Sequence, residues 1–63
     1  MSDTEFADAA TTADLLGISV SQVHRWACRR MAGEDVGPVF YDMGGVRRWR
    51  RTDVLAWAES RRR

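Results

Sequence analysis

The sequence predicts a small α+β protein that is mostly α-helical. Two short stretches with helical spacing of apolar residues each follow a good helix-capping residue. A glycine pair then separates two runs rich in β-branched and aromatic residues, as in a β-hairpin. A last helical stretch closes the 63-residue chain. The predicted order is two short helices, a two-stranded hairpin and a C-terminal helix, which together form a winged helix-turn-helix.

The first helix is predicted to begin after Asp8 and to run through Leu16. Asp8 is a favourable N-cap, and Ala9, Ala13 and Leu16 recur on one face at i, i+4 and i+7. Gly17 suits the left-handed conformation that commonly ends a helix. The residues before this helix, 1–7, form an N-terminal segment in which Phe6 is expected to pack beneath it.

A tight turn of about two or three residues precedes the second helix, which makes the pair a helix-turn-helix. Ser19 and Gln22 have the spacing of a capping box, in which Gln22 returns a hydrogen bond to the backbone of Ser19. At 100° per residue, Val23, Trp26 and Ala27 lie on one side of this helix. The opposite side is polar and carries Ser21, Gln22, His24, Arg25, Cys28 and Arg29. This side has the composition of a DNA-recognition helix. The alternative is that it is simply the solvent-exposed face that every amphipathic helix has.

Residues 31–38 contain two glycines and a proline and are predicted to form a loop, with Pro38 opening a strand over 39–43. Gly44 and Gly45 supply the positive φ angles of a tight hairpin turn, and residues 46–50 form the return strand. Side chains alternate between the faces of a strand, so Trp49 is predicted to be buried, with Arg47 on its side and Arg48 and Arg50 pointing outward. Arg47, near the tip, is the strongest candidate for insertion into a DNA groove.

The last helix is predicted to be capped by Thr52 or Arg51, with Asp53 near its positive end. Its inward stripe consists of Val54, Trp57 and Ala58, and Leu55 falls off that stripe. Residues 60–63 form an arginine-rich tail. The charge of this tail suits a helix C-terminus, and it equally suits a flexible arm that contacts DNA or a protein.

Charge is segregated along the chain. All ten basic residues are arginines and none precedes position 25, so the first 24 residues carry only acidic charge. The net charge is +1, but binding to phosphate responds to the local field, which clustered arginines make positive.

Composition excludes several classes of protein. The single cysteine forms no internal disulfide, no Cys/His set has zinc-ligand spacing, and the apolar stretches are too short to span a membrane. These features favour a reducing cytoplasm and predict no metal or cofactor. His24 and Cys28, four residues apart, lack a third residue to orient the histidine, so we expect no catalysis. The three tryptophans lie on inward positions and are expected to form core rather than to stack on bases.

Two local patterns carry a resemblance to a known family. One is the run Leu-Leu-Gly-Ile-Ser at 15–19 followed by Val23, Arg25 and Trp26, and the other is Arg-Trp-Arg-Arg-Thr-Asp-Val at 48–54 followed by Trp57. With the hairpin between them, the chain resembles the small winged-helix proteins of the MerR-like superfamily, in particular phage excisionases and AlpA-type prophage regulators. The likeness covers nearly the whole of residues 1–63 as one domain.

The resemblance implies how such a domain meets DNA. Members of this family place the second helix in the major groove and the wing in the adjacent minor groove. The helix contacts that the resemblance implies are Ser21, Gln22, His24 and Arg25, and the wing contacts are Arg47 and Arg48. From their positions on the same helix and hairpin, we also expect contacts from Ser19, Arg29, Gly44, Gly45 and Arg50. The loop with Glu34 and Asp35 would repel phosphate and is expected to point away from DNA.

Three functions are compatible with these patterns. The first is a non-enzymatic excisionase that binds tandem sites cooperatively, bends double-stranded DNA and promotes excision by a phage integrase in a bacterial cell. One winged helix buries only about 600–1,000 Å² on DNA, which favours several copies side by side with head-to-tail contacts. Candidate contacts with integrase are Leu55, Arg61, Arg62 and Arg63. The alternatives are a small AlpA-type transcriptional regulator and a protein-interaction or antitoxin-like adaptor; no reading includes a membrane or a small-molecule ligand.

Overall fold

The computed structural model describes residues 5–61, and within them the chain forms three helices and three strands. In chain order these are β1 (Phe6–Ala7), α1 (Ala9–Leu16), α2 (Val20–Met31), β2 (Tyr41–Met43), β3 (Val46–Arg50) and α3 (Arg51–Ser60). The predicted fold class is confirmed, because the chain is an α+β protein with most of its ordered residues in helices. A helix-turn-helix, a hairpin and a last helix follow one another as predicted.

Helix α1 begins and ends where its capping residues predict. The Asp8 carboxylate accepts a hydrogen bond from the backbone N–H of Thr11 at 2.8 Å. Gly17 follows the helix with a φ of 70°, and its N–H donates to the carbonyl of Asp14. The N–H of Ile18 donates to the carbonyl of Ala13 at 3.0 Å, which completes a Schellman motif. This tight ending turns the chain directly into α2.

Helix α2 forms only half of the predicted capping box. The Ser19 hydroxyl accepts from the backbone N–H of Gln22 at 3.1 Å, as expected. The side-chain oxygen of Gln22 accepts instead from Nη1 of Arg25 at 3.4 Å, rather than returning to the backbone of Ser19. Ile18, just before the cap, packs against the core that contains Val23, so an apolar staple fixes the entry of the chain into α2.

The core lies between the three helices and the inner face of the sheet. Its fully buried side chains are Ala13, Val23, Ala27, Trp49 and Val54. Trp49 is only 1% exposed and packs beside Phe40, with ring centroids 5.9 Å apart. Trp26 and Trp57 meet edge to face at 5.2 Å and join α2 to α3. The predicted inward placement of all three tryptophans is confirmed, with Trp26 and Trp57 half-buried at the core margin.

The sheet has three strands rather than the two predicted. The order is β1-β3-β2, all antiparallel, with Phe6 opposite Arg50 and Ala7 opposite Trp49. A two-residue strand is too short to show an alternating pattern, so β1 was not predictable from periodicity. The first hairpin strand was also predicted too long, because pairing begins at Tyr41 rather than at residue 39.

The hairpin turn and the start of α3 show one prediction confirmed and one wrong. Gly44 and Gly45 have φ angles of 66° and 89°, as a tight hairpin turn requires. Helix α3 was predicted to be capped by Arg51 or Thr52, but its N-cap is Arg50, which makes no side-chain capping bond. The backbone N–H of Arg51 donates instead to the carbonyl of Glu5 at 2.7 Å. The segment before β1 thus takes over the capping role, a contact between residues far apart in sequence.

The loop between α2 and β2 is held against α2 by hydrogen bonds and by close packing. Nη1 of Arg30 donates to the carbonyls of Val36 and Gly37 at 3.2 and 3.0 Å. Gly37 has a φ of 69° and lies against Trp26, where an added Cβ would come within 2.7 Å of the indole. This position therefore needs glycine for both its backbone conformation and its lack of a side chain.

Replacing Gly37 with alanine is expected to destabilise the protein far more than replacing Gly17. The φ angles are 69° and 70°, so both variants carry the same left-handed penalty of about 1 kcal/mol. Only Gly37→Ala also collides with Trp26, since nothing lies within 4 Å of a Cβ at Gly17. We expect Gly37→Ala to lose about 1–3 kcal/mol more in urea unfolding. Equal losses in the two variants would contradict the role assigned to Trp26.

Thr12 provides a second test, because it is fully buried while its hydroxyl has no hydrogen-bond partner among the described residues. Thr12→Val removes the buried hydroxyl and keeps the shape, so it is expected to raise the free energy of unfolding by about 1 kcal/mol. Thr12→Ser keeps the hydroxyl and loses a methyl group, so it is expected to lower it by about 1 kcal/mol. A valine variant less stable than the native protein would mean that the hydroxyl is satisfied.

Candidate nucleic-acid interface

The polar side of α2 is exposed, as the helical projection predicts. Ser21, His24, Arg25, Cys28 and Arg29 are all exposed, Gln22 is half-buried, and Ser19 is exposed at the N-cap. The opposite side of the helix carries the buried Val23 and Ala27. The core thus fixes the rotation of α2 about its axis and leaves one continuous polar face.

An open groove of about 600 Å³ separates α2 from the hairpin. Val20 and His24 line it from the helix, and Gly45, Arg47 and Arg48 line it from the hairpin. The start of α1 closes one end of the groove with Asp8 and the two alanines that follow it. The structure therefore brings together helix and wing residues that lie more than twenty positions apart in sequence.

Arg47 lies over the hairpin rather than extending from its tip. Its guanidinium carbon is 5.6 Å from the centre of the Phe40 ring, a cation–π contact. Its Nη2 atom is 3.2 Å from the sulfur of Met31, at the end of α2. Arg47 and Trp49 share the inner face, as alternation predicts, so the half-buried Arg47 side chain points toward the helix.

Arg48 lies on the other face of β3 and is also half-buried. Its Nη1 atom donates to the carbonyl of Arg47 at 2.9 Å. Arg48 also acts on Asp8 across the groove. The pKa of Asp8 is lowered mainly by the hydrogen bond from the backbone of Thr11, then by the hydroxyl of Thr11, and further by the positive charge of Arg48. The groove thus holds a carboxylate beside its arginines.

Arg50 lies on the face of β3 opposite Trp49, as alternation predicts, but its guanidinium is engaged within the fold. Its Nη1 atom pairs with Glu5 at 3.1 Å, and its guanidinium lies 5.2 Å from the ring centre of Phe6 and 5.5 Å from that of Tyr41. Pairing of β1 beside β3 creates this arrangement. Arg50 therefore belongs to the outer face of the sheet, and we leave it out of the candidate interface.

Arg25 and Arg29 differ in their partners although both are exposed on α2. Within residues 5–61, the Arg25 side chain makes one hydrogen bond, to the amide oxygen of Gln22 at 3.4 Å. Arg29 donates through Nε and Nη2 to Oε1 of Glu34 at 2.9 and 2.7 Å. From the sequence, Glu34 is expected to lie in a loop that points away from DNA, and its pairing with Arg29 is not predicted. The spacing of five residues across the helix end was the only clue to this pair in the sequence.

Of the four residues predicted to contact a protein partner, Leu55 lies on α3 and Arg61 directly follows it. Leu55 is 49% exposed, which confirms that it lies off the inward stripe. The guanidinium of Arg61 lies 5.1 Å from the ring centre of Trp57 and so covers the helix end. Arg62 and Arg63 lie outside the described residues.

Within residues 5–61, no group of three or more histidine, cysteine or acidic side chains is placed to hold a metal ion. Cys28 carries an exposed free thiol. None of the helices described is long and apolar enough to cross a bilayer.

Comparison with known proteins adds no relative. No family model, curated protein or solved structure matches this chain.

The lowered pKa of Asp8 predicts a specific loss of stability in acid. Because the pKa of Asp8 is lower in the folded than in the unfolded state, its stabilising effect is complete above about pH 4 and is lost as the pH falls through the folded-state pKa. Asp8→Asn keeps a capping oxygen but does not titrate. The stability difference between the native protein and this variant, measured by urea unfolding, is expected to shrink between pH 6 and about pH 3. A constant difference over that range would contradict the assignment.

Proposed function

We propose that the protein binds double-stranded DNA with α2 in the major groove and the hairpin wing beside it. The observation that supports this most directly is the groove that sets His24 of α2 opposite Arg47 and Arg48 of the wing. The exposed Arg25 extends the same polar helix face. A helix and a basic ribbon held side by side by a common core suit contact with neighbouring grooves of a duplex.

The dimensions of α2 suit this role. Its 12 residues span about 18 Å, and the major groove is about 12 Å wide and admits one α-helix. Arg25 is the main candidate for reading bases, since its one hydrogen-bond partner in the described part of the chain is a neighbouring amide and its guanidinium can bind the two acceptors of guanine. Arg47 and Arg48 serve the phosphate backbone, which sets the position of the protein on the duplex.

Within DNA binding, we propose the architectural role of an excisionase. The support is the resemblance in sequence pattern, together with the small area that one such domain offers to DNA, about 600–1,000 Å². Several copies bound side by side, with head-to-tail contacts, would supply the specificity and would bend the duplex. Leu55 on α3 and Arg61 at the C-cap of that helix are the proposed contacts with an integrase, separate from the α2 face.

The first test is salt-dependent binding to a fluorescent duplex by wild-type protein and three single-arginine variants. Phosphate contacts from Arg29, Arg47 and Arg48 predict a log-log salt slope of about −2 to −3, since each contributes about −0.9. Arg25→Ala is expected to weaken binding by about 1–3 kcal/mol and to relax base preference in selection from randomised duplexes. Arg47→Ala is expected to weaken binding to all sequences.

Arg61→Ala is the matched control, because it removes the same charge from the end of α3 and should leave affinity nearly unchanged. Equal affinity of wild type, Arg25→Ala and Arg47→Ala would refute this DNA-binding surface, and absence of salt-dependent duplex binding would favour a protein adaptor. On duplexes that carry tandem copies of the selected sequence, the protein should bind cooperatively. Because binding bends the DNA, the electrophoretic mobility of the complex should depend on the position of the sites within the duplex. Independent binding without bending would favour a transcriptional regulator over an excisionase.

A further inference from the structure

The pairing of Arg29 with Glu34 is built into the end of α2. The backbone N–H of Glu34 donates to the carbonyl of Arg29 at 3.0 Å, and Gly33 between them has a φ of 97°. This turn folds the loop back over the last turn of the helix. The carboxylate of Glu34 therefore meets the guanidinium of Arg29 because the backbone of the same two residues is already joined.

The adjacent pair of Arg30 and Asp35 has a different character. Arg30 is held by two loop carbonyls, and its side chain is mostly covered. Asp35 reaches it at 3.3 Å with a side chain that is 97% exposed. Removing the Asp35 charge thus leaves Arg30 in place. Arg29, in contrast, has Glu34 as its one side-chain partner among the described residues.

We infer that Glu34 limits the affinity of the protein for DNA by competing with phosphate for Arg29. This inference rests on the proposed DNA binding. The carboxylate occupies the Nε and Nη2 donors that a phosphate would use. Both side chains are about half exposed, 49% and 48%, so the pair is weak enough for a phosphate to displace the carboxylate.

Competition of this kind changes how Arg29 contributes to binding. Where the DNA backbone comes close to the end of α2, phosphate replaces Glu34 and Arg29 adds to affinity. On a duplex that fits less closely, the phosphate does not displace the carboxylate, and Arg29 stays with Glu34 and adds nothing. Glu34 thus lowers affinity for a fitting site by the free energy of the ion pair, and for other duplexes by no more than the phosphate contact that Arg29 would otherwise make.

The test compares duplex binding by wild-type protein, Glu34→Gln and Asp35→Asn. Glu34→Gln is expected to raise affinity for duplex DNA about two- to fivefold, the range of an exposed ion pair, with the larger gain on a fitting site. It should also steepen the log-log salt slope by up to about 0.9, because Arg29 becomes free to contact one phosphate. Asp35→Asn removes the same charge one position away and is expected to change both quantities much less.

Arg29→Ala completes a double-mutant cycle with Glu34→Gln. The gain from Glu34→Gln should disappear in the Arg29→Ala background. Unchanged binding by Glu34→Gln, an equal gain in Asp35→Asn, or a gain that persists without Arg29 would each overturn the inference. If wild-type protein binds duplex with the expected salt dependence while Glu34→Gln has no effect, only this inference fails. If no variant binds duplex, the proposed function fails with it.

Discussion

Burial of Trp49 is the constraint on which the rest of the structure depends. Its indole is 1% exposed at the centre of the middle strand β3, within the same core as Val23 of α2 and Val54 of α3. Because side chains alternate along a strand, fixing Trp49 inward also fixes the faces of Arg47 and Arg48. The position of the wing relative to α2 thus follows from one large apolar side chain. A chain of 63 residues has little other core with which to hold that geometry.

The arginines fall into two groups that formal charge does not distinguish. Arg30 and Arg50 act within the fold, the first by binding loop carbonyls and the second by lying between two aromatic rings beside Glu5. Arg25 and Arg48 keep guanidinium groups toward the α2 face and the groove. Arg29 belongs to neither group, since its side chain is exposed but its guanidinium is paired with Glu34. An arginine-rich segment can therefore include several arginines whose side chains stabilise the fold. The number of phosphates that it can bind depends on the arginines that remain.

Much of the fold was predictable because its signals are local. The caps at Asp8 and Ser19, the left-handed Gly17 and the glycine pair of the hairpin each depend on neighbours within three or four residues. The inward tryptophans followed from helical and strand periodicity. The candidate helix face was predictable for the same reason, since the exposed side of α2 is the side opposite Val23 and Ala27.

The types of the elements, the left-handed conformation of the turn glycines and the buried faces of α2 and β3 are encoded locally, because each depends on residue type and spacing within a single segment. Tertiary structure alone decided that Phe6 pairs opposite Arg50, that the carbonyl of Glu5 caps α3, and that Asp8 faces Arg48 across the groove. These contacts join residues separated by about forty positions or more, and their formation depends on how the core orients the segments. Periodicity within a segment carries no information on that orientation, so the availability of each arginine emerged only when the chain was folded.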